Sequence, residues 1–495
     1  MLLLKIDRTS DVSAYQQVCD QVVALAETGA LQPGDRLPST RALAVSIGLH
    51  RSSIVRAYAE LRALGYLEGR PGSYSTVRQR LSTTRLENTN RDIETLIDWD
   101  AITKPSICDL RERAGAETLN QGKVMDLDRL CADPALAPDD DLRRCLKTEL
   151  IRTGGVALDY ADTYGWHPLR EVIAKRMCNH GVMVSASEVL VTAGAQQALD
   201  LVLRYLSCPG DRVVVEAPTY GMAHSLLKLH EVQPLEVPML EDGMDLNELQ
   251  RVLVKGRQRP KLIFTMPNFH NPTGITTNQQ HRERLLSLCE NHRIPLLEDG
   301  FEEEMKYFGQ AVLPVKSMDI RGIVIYVGTF SKVVFPGLRI GWICAPREAI
   351  TRLADIKHAS CITGNTLAQA AAARFCAGGE FETYLRRIHR VYRRRMQMLL
   401  QALKRHMPAN VYWTRPTGGY TAWLTLRDCN VAEKELLARI LHAGVKVGPG
   451  HRYFAGQPES VHFRLSIACV DEDEIETACQ QLGQVLGSAV SGRNE

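Results

Sequence analysis

The sequence predicts a multidomain α/β protein, in which a small helical domain precedes a larger domain built on a mostly parallel sheet. Its 495 residues exceed what a single hydrophobic core usually supports. Arginines are concentrated between residues 33 and 80, although the whole chain has a net charge of only +3. From about residue 121 onward, continuous apolar runs alternate with helical patterns, which is typical of a sheet buried on both faces.

The composition is that of an ordinary globular protein, with 45% hydrophobic and 24% charged residues. The thirteen cysteines include no Cys-x-x-Cys pair and no cluster with metal-ligand spacing, so we expect reduced thiols and no metal site. The N-terminal apolar run is shorter than that of a signal sequence, and no stretch approaches the roughly 20 apolar residues of a membrane span. We therefore expect a cytoplasmic protein without a membrane partner.

Residues 1–79 are predicted to form three helices and a hairpin. An amphipathic pattern covers residues 13–28, and Ser39 is placed to cap a short helix over residues 40–47. HRSSIVRAYAELRALG predicts a further helix, whose apolar face consists of Ile54, Tyr58, Leu61 and Leu64. YLEGRPGSYSTV then predicts two short strands around a Gly/Pro turn. This order of elements is that of a winged helix-turn-helix.

The rest of the chain divides into a linker and a second domain. Residues 80–120 lose apolar periodicity and are predicted to be a linker. The second domain is predicted over residues 121–495, where runs such as EVLVTAG, DRVVVEAP and RIPLLEDG indicate buried strands. Its large part is expected at about 160–345, and its small part at about 121–159 and 346–495.

The N-terminal domain carries a candidate DNA-binding surface. In a helix-turn-helix the second helix enters the major groove, where arginine donates to guanine edges or to phosphates. Arg51, Ser52 and Ser53 open that helix, and Ser39 and Arg41 precede it at positions suited to phosphate contact. The pattern alone leaves a solvated basic face of a small helical domain as the alternative.

The stretch GDRLPSTRALAVSIGLHRSSIVRAYAELRALGYLEGRPG strengthens the first interpretation, because it closely resembles the GntR-type winged helix over residues 13–77. Its LPS-x-R-x-LA, G-x-x-R and AY-x-x-L positions follow that register almost without gaps. The resemblance implies a double-stranded DNA operator as a partner. Gly72, Ser73 and Tyr74 depart from the G-x-G often found in the family's wing, so the contact that the wing makes stays open.

The second domain contains the parts of a pyridoxal-phosphate site in sequence order. That cofactor needs a lysine, a carboxylate for its ring nitrogen, a stacking partner, a donor for O3′, and a helix N-terminus with a guanidinium for its phosphate. The motifs TAGAQQAL, EAPTYG, NPTG, LLEDG and GTFSKVVFPGLR follow strands and supply these groups. Their candidate residues are Gly194, Ala195, Gln196, Tyr220, Asn271, Asp299, Thr329, Ser331, Lys332 and Arg339. Each motif alone is most often an ordinary turn, but five in order point to the cofactor.

Each residue type in this set suits one part of the cofactor. Lys332 offers an amine for the aldehyde, and Asp299 offers a carboxylate for the ring nitrogen. Tyr220 is suited to stacking on the ring, and Asn271 to hydrogen bonding with O3′. Arg339 is suited to bidentate contact with the phosphate.

Residues from about 121 to 485 resemble a fold-type I, class I aminotransferase domain, and a GntR-type domain fused to it resembles the MocR family of transcriptional regulators. The resemblance implies pyridoxal 5′-phosphate as the cofactor and Lys332 as its Schiff-base lysine. It implies a homodimer in which Tyr160 reaches the phosphate of the partner subunit. It also implies that Arg464 pairs with the carboxylate of an effector, for which an ordinary strand arginine is the alternative.

The resemblance implies a regulator, not an enzyme, whose aminotransferase-like domain senses pyridoxal phosphate, an amino compound, or both. An active class I aminotransferase that carries a DNA-binding domain is the alternative, and the residues are compatible with weak or half-reaction transamination. A third hypothesis gives the domain only a dimerisation role, which the full set of cofactor residues disfavours. Phe301 stands where such regulators usually have a tyrosine, a loss of about 1 kcal/mol of hydrogen bonding that disfavours efficient transamination.

Overall fold

The protein is described here from a computed structural model, which covers residues 4–69, 74–78, 97–107, 110, 124–256, 258–309, 312–334, 336–427, 429 and 431–491. Contacts divide the chain into two compact units, Met1–Ile102 and Thr103–Glu495. Most of the predicted linker lies outside the described residues, so its bounds, and those of the domains around it, stay predictions. Within the described residues, no helix combines the length and the apolar character needed to cross a membrane.

The N-terminal unit contains the three helices and the hairpin that the sequence predicts. The helices are α1 (Ala14–Glu27), α2 (Thr40–Ile47) and α3 (Arg51–Ala63). The strands β1 (Leu67–Glu68) and β2 (Thr76–Val77) pair antiparallel. The tip of the predicted wing, including Gly72 and Ser73, lies outside the described residues.

The core of this unit follows the apolar periodicity of α3 with one exception. Ile54, Tyr58 and Leu61 are buried as predicted. The prediction for Leu64 was wrong, because α3 ends at Ala63 and the Leu64 side chain is 48% exposed. Periodicity gives the face of a helix but not the residue at which the helix stops.

The C-terminal unit alternates helices and strands. After the short helix α4 (Trp99–Ile102) of the first unit, its helices are α5 (Asp139–Thr153), α6 (His167–Asn179), α7 (Ala195–Leu206), α8 (Gly221–Leu229), α9 (Leu246–Lys255), α10 (Gln279–His292), α11 (Arg347–Cys361), α12 (Thr366–Ala377), α13 (Glu380–His406), α14 (Glu433–His442) and α15 (Glu472–Ser491). Its strands are β3 (Met125–Asp126), β4 (Val189–Thr192), β5 (Arg212–Ala217), β6 (Gln233–Leu240), β7 (Gly243–Met244), β8 (Leu262–Thr265), β9 (Leu296–Asp299), β10 (Val324–Thr329), β11 (Gly341–Cys344), β12 (Val411–Trp413), β13 (Thr421–Leu426), β14 (Val445–Lys446), β15 (Gly448–Pro449) and β16 (Val461–Ser466).

Eight of these strands form the large sheet, in the order β4-β11-β10-β9-β8-β5-β6-β7. Strands β6, β5, β8, β9 and β10 pair in parallel, whereas β11 is antiparallel to both β10 and β4. Strand β7 is antiparallel to β6 at the edge. All residues of β4, β8, β9 and β10 are buried, as expected for apolar strands covered by helices on both faces. This mixed sheet confirms the predicted fold class.

A smaller sheet, in the order β12-β13-β16-β15, contains the later strands. Strand β3 pairs in parallel with β14, which attaches the segment that begins the C-terminal unit to its C-terminal part. The residues after β3 therefore run beside β16, where the Ser466 N–H donates to the Leu127 carbonyl at 2.7 Å. This pairing brings the loop at residues 127–134 toward the large sheet.

Candidate cofactor and DNA-binding sites

The predicted cofactor residues lie at one edge of the large sheet. Strands β4, β5, β8, β9 and β10 run in the same direction, so their carboxyl ends meet there. The loops after four of them carry Gly194, Tyr220, Asn271 and Lys332, and Asp299 is the last residue of β9. In open α/β sheets this edge is where ligands bind.

Asp299 is a buried carboxylate with an unsatisfied oxygen. Its residue is 2% exposed, and Oδ1 has no hydrogen-bond partner among the described residues. Burial raises the pKa of Asp299 to about 7, although a backbone N–H at Phe301 and the charge of Lys332 act in the opposite direction. Because an unpaired buried acceptor is costly, Oδ1 suits a protonated ring nitrogen.

Lys332 lies half-buried beside this carboxylate. Its Nζ donates to the Leu130 carbonyl at 2.6 Å, and the Tyr420 hydroxyl donates to the Lys332 carbonyl at 2.7 Å. Burial lowers the pKa of Lys332, with Glu302 acting in the opposite direction and Arg464 in the same one. A lower pKa increases the fraction of neutral amine, which is the nucleophilic form.

Glu302 is a second buried carboxylate of this site, which the sequence motifs did not identify. It is fully buried; its Oε2 accepts from the Tyr420 N–H at 3.1 Å, whereas Oε1 has no partner in the described part of the chain. Burial raises the pKa of Glu302 to about 8, against the opposing charge of Lys332. The acidic run EDGFEEE was the available signal, but the run does not indicate which carboxylate faces the lysine.

Arg464 already has partners of its own. Its Nη1 donates to the Asn271 Oδ1 at 3.1 Å, and its Nη2 donates to the Asp128 carbonyl and Oδ1 at 2.6 and 3.1 Å. Arg464 is 7% exposed and the Asp128 side chain is 14% exposed, so this ion pair is largely shielded from solvent. The Asp128 carboxylate therefore occupies Nη2 of the guanidinium, whereas Nε has no hydrogen-bond partner among the described residues. Sequence analysis missed Asp128.

The turn that opens α7 has the features expected of an anion-binding cradle. Helix α7 starts at Ala195, and no described side chain caps it. Arg339 donates from Nη2 to the Ala193 carbonyl at 2.5 Å, and a Cβ added at Gly194 would lie 2.8 Å from that Nη2. A Cβ at Gly341 would lie 2.6 Å from the Gly194 carbonyl carbon, so glycine is required for this close packing. Free N–H groups beside a guanidinium suit a phosphate.

The remaining predicted cofactor residues make hydrogen bonds that fix two segments, the first turn of α7 and the backbone before Lys332. The Tyr220 hydroxyl donates to the Gln196 Oε1 at 3.3 Å, which connects the candidate stacking residue to the first turn of α7. The Thr329 Oγ1 accepts from the Ser331 N–H at 3.1 Å and donates to the Ile340 carbonyl at 2.9 Å. These bonds fix the segment that leads to Lys332.

Tyr160 lies at the surface of the C-terminal unit and is 77% exposed. It follows the 3₁₀ turn Gly154–Leu158. A side chain with this exposure is accessible to a neighbouring subunit, as its predicted role requires.

The predicted DNA-binding arginines are exposed at the two helices of the helix-turn-helix. Arg41 lies in the first turn of α2, and Arg51 is the first residue of α3. Ser53 is half-buried in the first turn of α3. Exposed guanidinium groups at these positions suit phosphate and base-edge contacts.

The two other predicted serines of this surface already make local hydrogen bonds. The Ser39 Oγ accepts from the Ala42 N–H at 3.1 Å and caps α2. The Ser52 Oγ lies 2.6 Å from the Nδ1 of His50, the N-cap residue of α3. Sequence analysis missed His50, because histidine is not among the favoured N-cap residues.

Two family models match the chain. The model "Aminotransferase class I and II" matches residues 135–482, and the model "Bacterial regulatory proteins, gntR family" matches residues 14–77. The "Probable rhizopine catabolism regulatory protein MocR" of Rhizobium meliloti is 30% identical, over 95% of this chain and 93% of its own length. The chain belongs to the MocR-type family of regulators. It is a GntR-type regulator fused to an aminotransferase-like domain.

Aminotransferases resemble this MocR-type regulator over a smaller share of the chain. "Aromatic-amino-acid aminotransferase 1" of Thermococcus litoralis is 34% identical, over 71% of this chain and 85% of its own. The crystal structure of α-aminoadipate aminotransferase from Thermus thermophilus, complexed with N-(5′-phosphopyridoxyl)-L-leucine, has a TM-score of 0.73 and 31% identity, and covers 80% of this chain and 100% of its own. The alternative of an active aminotransferase is therefore not favoured. The family implies pyridoxal phosphate, and the unpaired Asp299 oxygen and the Gly194 cradle fit it.

Proposed function

We propose that this regulator binds pyridoxal phosphate at Lys332, that an amino compound changes the bound state, and that the change alters DNA binding through α3. The observation that carries the proposal is the buried Asp299 carboxylate, whose Oδ1 is unsatisfied beside the charge of Lys332. A domain used only for dimerisation requires packing, not an unpaired buried acceptor.

When bound, pyridoxal phosphate supplies an aldehyde that condenses with amines and a protonated ring that accepts electrons. Lys332 would hold the aldehyde end, and Asp299 would keep the proton on the ring nitrogen. Asn271 would donate to O3′ through its side-chain amide, since its Oδ1 accepts from Arg464. Arg339 and the first turn of α7 would bind the phosphate.

Two observations favour sensing over sustained turnover. Asp128 occupies the Arg464 Nη2, so an effector carboxylate that binds this nitrogen has to compete with the Asp128 carboxylate. Phe301 provides no hydroxyl where the family's regulators usually have one. The residues are compatible with a slow half-reaction, because the chain carries both Lys332 and Asp299.

The exposed Tyr160 supports a homodimer in which its ring enters the site of the partner subunit. Changes at either site would then reach two DNA-binding domains, which is a coupling between distinct sites. A regulator that binds DNA acts where the DNA is, so we propose a cytoplasmic location.

The test measures binding of the protein to its own upstream DNA by fluorescence anisotropy, without cofactor, with pyridoxal phosphate, and with amino acids added to the loaded protein. We expect the affinity or the footprint of the wild type to change with cofactor, and that of Lys332→Ala to stay constant. Lys404→Ala, which removes an exposed lysine of α13, should behave as wild type. Identical responses of wild type and Lys332→Ala would contradict the proposal.

A second measurement separates the sensor from the enzyme. The loaded protein is mixed with an amino acid and a 2-oxo acid, and the products are counted per active site. A sensor is expected to stop at or below one half-reaction per site. Sustained turnover would instead establish the protein as an aminotransferase that carries a DNA-binding domain.

A further inference from the structure

Two cysteines contact each other beside the candidate cofactor site. The Sγ atoms of Cys131 and Cys469 lie 3.4 Å apart, and the Cys469 Sγ also lies 3.3 Å from the Cys131 carbonyl oxygen. Both residues are half-buried, so small oxidants and reductants have access to them. A disulfide bond measures about 2.05 Å, and small side-chain movements would close the difference.

The two cysteines belong to two segments that both contact the candidate cofactor site. Cys131 directly follows Leu130, whose carbonyl accepts from the Lys332 Nζ. Cys469 lies just after β16, the strand that carries Arg464. The segments also run side by side, because the Ser466 Oγ donates to the Arg129 carbonyl at 2.8 Å.

The surroundings of Cys131 favour its reactive form. The Cys469 Sγ lies within hydrogen-bond distance of the Cys131 Sγ, and the Arg129 Nε donates to the Cys131 Sγ at 3.1 Å. The Cys469 hydrogen bond, together with the charges of Arg129 and Lys332, lowers the pKa of Cys131 to about 6, although burial acts in the opposite direction. The pKa of Cys469 is raised by its hydrogen bond to Cys131, by burial and by the charge of Asp133. Both directions favour a thiolate on Cys131 and a thiol on Cys469.

We propose that Cys131 and Cys469 form a reversible disulfide, which makes this pair a redox modification site next to Lys332. With hydrogen peroxide as oxidant, the Cys131 thiolate attacks one peroxide oxygen, the O–O bond breaks, and the leaving hydroxide takes a proton from solvent to become water. The Cys469 sulfur then attacks the Cys131 sulfenic acid, the S–O bond breaks, and water leaves with the Cys469 proton. The two thiols lose two electrons and the peroxide gains them. A dithiol reductant reverses the bond by exchange.

The effect on the cofactor site rests on the proposed function. The disulfide would tie the Leu130 segment to the end of β16, so the loop beside Lys332 would move less. Loop movement controls the entry and exit of ligands in many closed sites. We therefore expect oxidation to slow cofactor exchange severalfold.

The first test is non-reducing peptide mapping after treatment with a small excess of hydrogen peroxide. We expect one linked peptide that joins Cys131 to Cys469, present in wild type and absent from Cys131→Ser and Cys469→Ser. Cys208→Ser, which removes an exposed thiol elsewhere, should still form the link. Unlinked Cys131 carrying sulfinic acid in the wild type, or oxidation of Cys208 before the pair, would overturn the proposal.

The second test measures release of pyridoxal phosphate from loaded protein, before and after oxidation. Slower release from oxidised wild type, with no change in Cys469→Ser, is the expected result. Equal rates in a protein that carries the disulfide would overturn the link between the pair and the cofactor site. Failure to load any cofactor, with the disulfide formed, would overturn the proposed function and leave the redox site standing.

Discussion

The two candidate sites place their charged residues in opposite environments, one exposed to solvent and the other buried. In the N-terminal unit, Arg41 and Arg51 project from helix starts into solvent. In the C-terminal unit, Asp299 and Glu302 are buried, and burial raises the pKa of both carboxyl groups. DNA is a large polyanion, for which exposed charges suffice, whereas a small cofactor needs a desolvated site in which each charge acts strongly. The difference predicts that a variant of either region will weaken the binding of the ligand proposed for that region.

The largest effect is expected for Asp299→Asn. The variant leaves a protonated ring nitrogen without its buried counter-charge, which should weaken cofactor binding by about 3 kcal/mol. Equilibrium dialysis with pyridoxal phosphate measures the loss. The matched control is Glu298→Gln on the same strand, since the Glu298 oxygens already accept from the backbone N–H groups of Val315 and Lys316. Equal losses of cofactor affinity in both variants would show that removing any buried carboxylate of this strand weakens binding, and that Asp299 has no specific role.

A smaller effect, confined to the other region, is expected for Arg51→Ala. Loss of a groove or phosphate contact should weaken operator binding by about 2 kcal/mol and leave cofactor affinity unchanged. Arg143→Ala removes an arginine whose side chain is 78% exposed on α5 and serves as the control in the same DNA titration. Binding that falls as much in Arg143→Ala would indicate a general charge effect instead of a defined surface.

Gly194→Ala should weaken cofactor binding by about 1 kcal/mol, because its φ of 94° disfavours alanine and the added Cβ approaches the Arg339 guanidinium. The loss should be seen with pyridoxal phosphate and not with pyridoxal, since we propose that this turn binds the phosphate. Gly210→Ala has a similar φ of 85° with open space around the Cβ, and it should leave binding unchanged. Equal losses of affinity for pyridoxal phosphate and pyridoxal would indicate that the phosphate does not bind at this turn.

The smallest effect concerns stability and pH. The pKa of Glu302 is raised from 4.5 to about 8, so the folded protein holds a proton that the unfolded chain releases. Between these values the unfolded state binds fewer protons, and the cofactor-free protein therefore loses stability as pH rises. Glu302→Gln should show a smaller fall in melting temperature across this range than wild type.

Asp319→Asn is the control for that pH dependence. Burial would raise the pKa of Asp319, but its hydrogen bond with Lys316 and the charge of that lysine outweigh burial and lower the pKa below its usual 3.8. Its contribution therefore changes only in more acidic solution, and Asp319→Asn should keep the wild-type slope above pH 4.5. Parallel curves for wild type and Glu302→Gln would contradict the assignment of the slope to Glu302.

Much of the site could be predicted from sequence, because its residues follow strands whose shared direction brings them together. The motifs around Asp299 and Lys332 are local, and their order along the chain matches the strand ends. Asp128 and Leu130 carry no such signal. The Lys332 Nζ and the Leu130 carbonyl belong to residues 202 positions apart in sequence, and they meet because β3 pairs with β14. Contacts of this kind arise from tertiary packing and leave no local pattern.

The N-terminal unit shows the same limit at smaller scale. The apolar period of α3 predicted the burial of Ile54, Tyr58 and Leu61. Leu64 continues that period but serves as the C-cap, and Gly65 follows it with a φ of 73°. Glycine after a helix is a known stop signal, so this error was avoidable from sequence.

The most direct test of the central claim is to locate the bound cofactor chemically. The loaded protein is reduced with borohydride, digested and mapped by mass spectrometry. Our account predicts cofactor mass on the Lys332 peptide, with none retained by Lys332→Ala. Cofactor spread over exposed lysines, or retained equally by Lys332→Ala, would contradict the assignment of the cofactor site to the carboxyl edge of the large sheet.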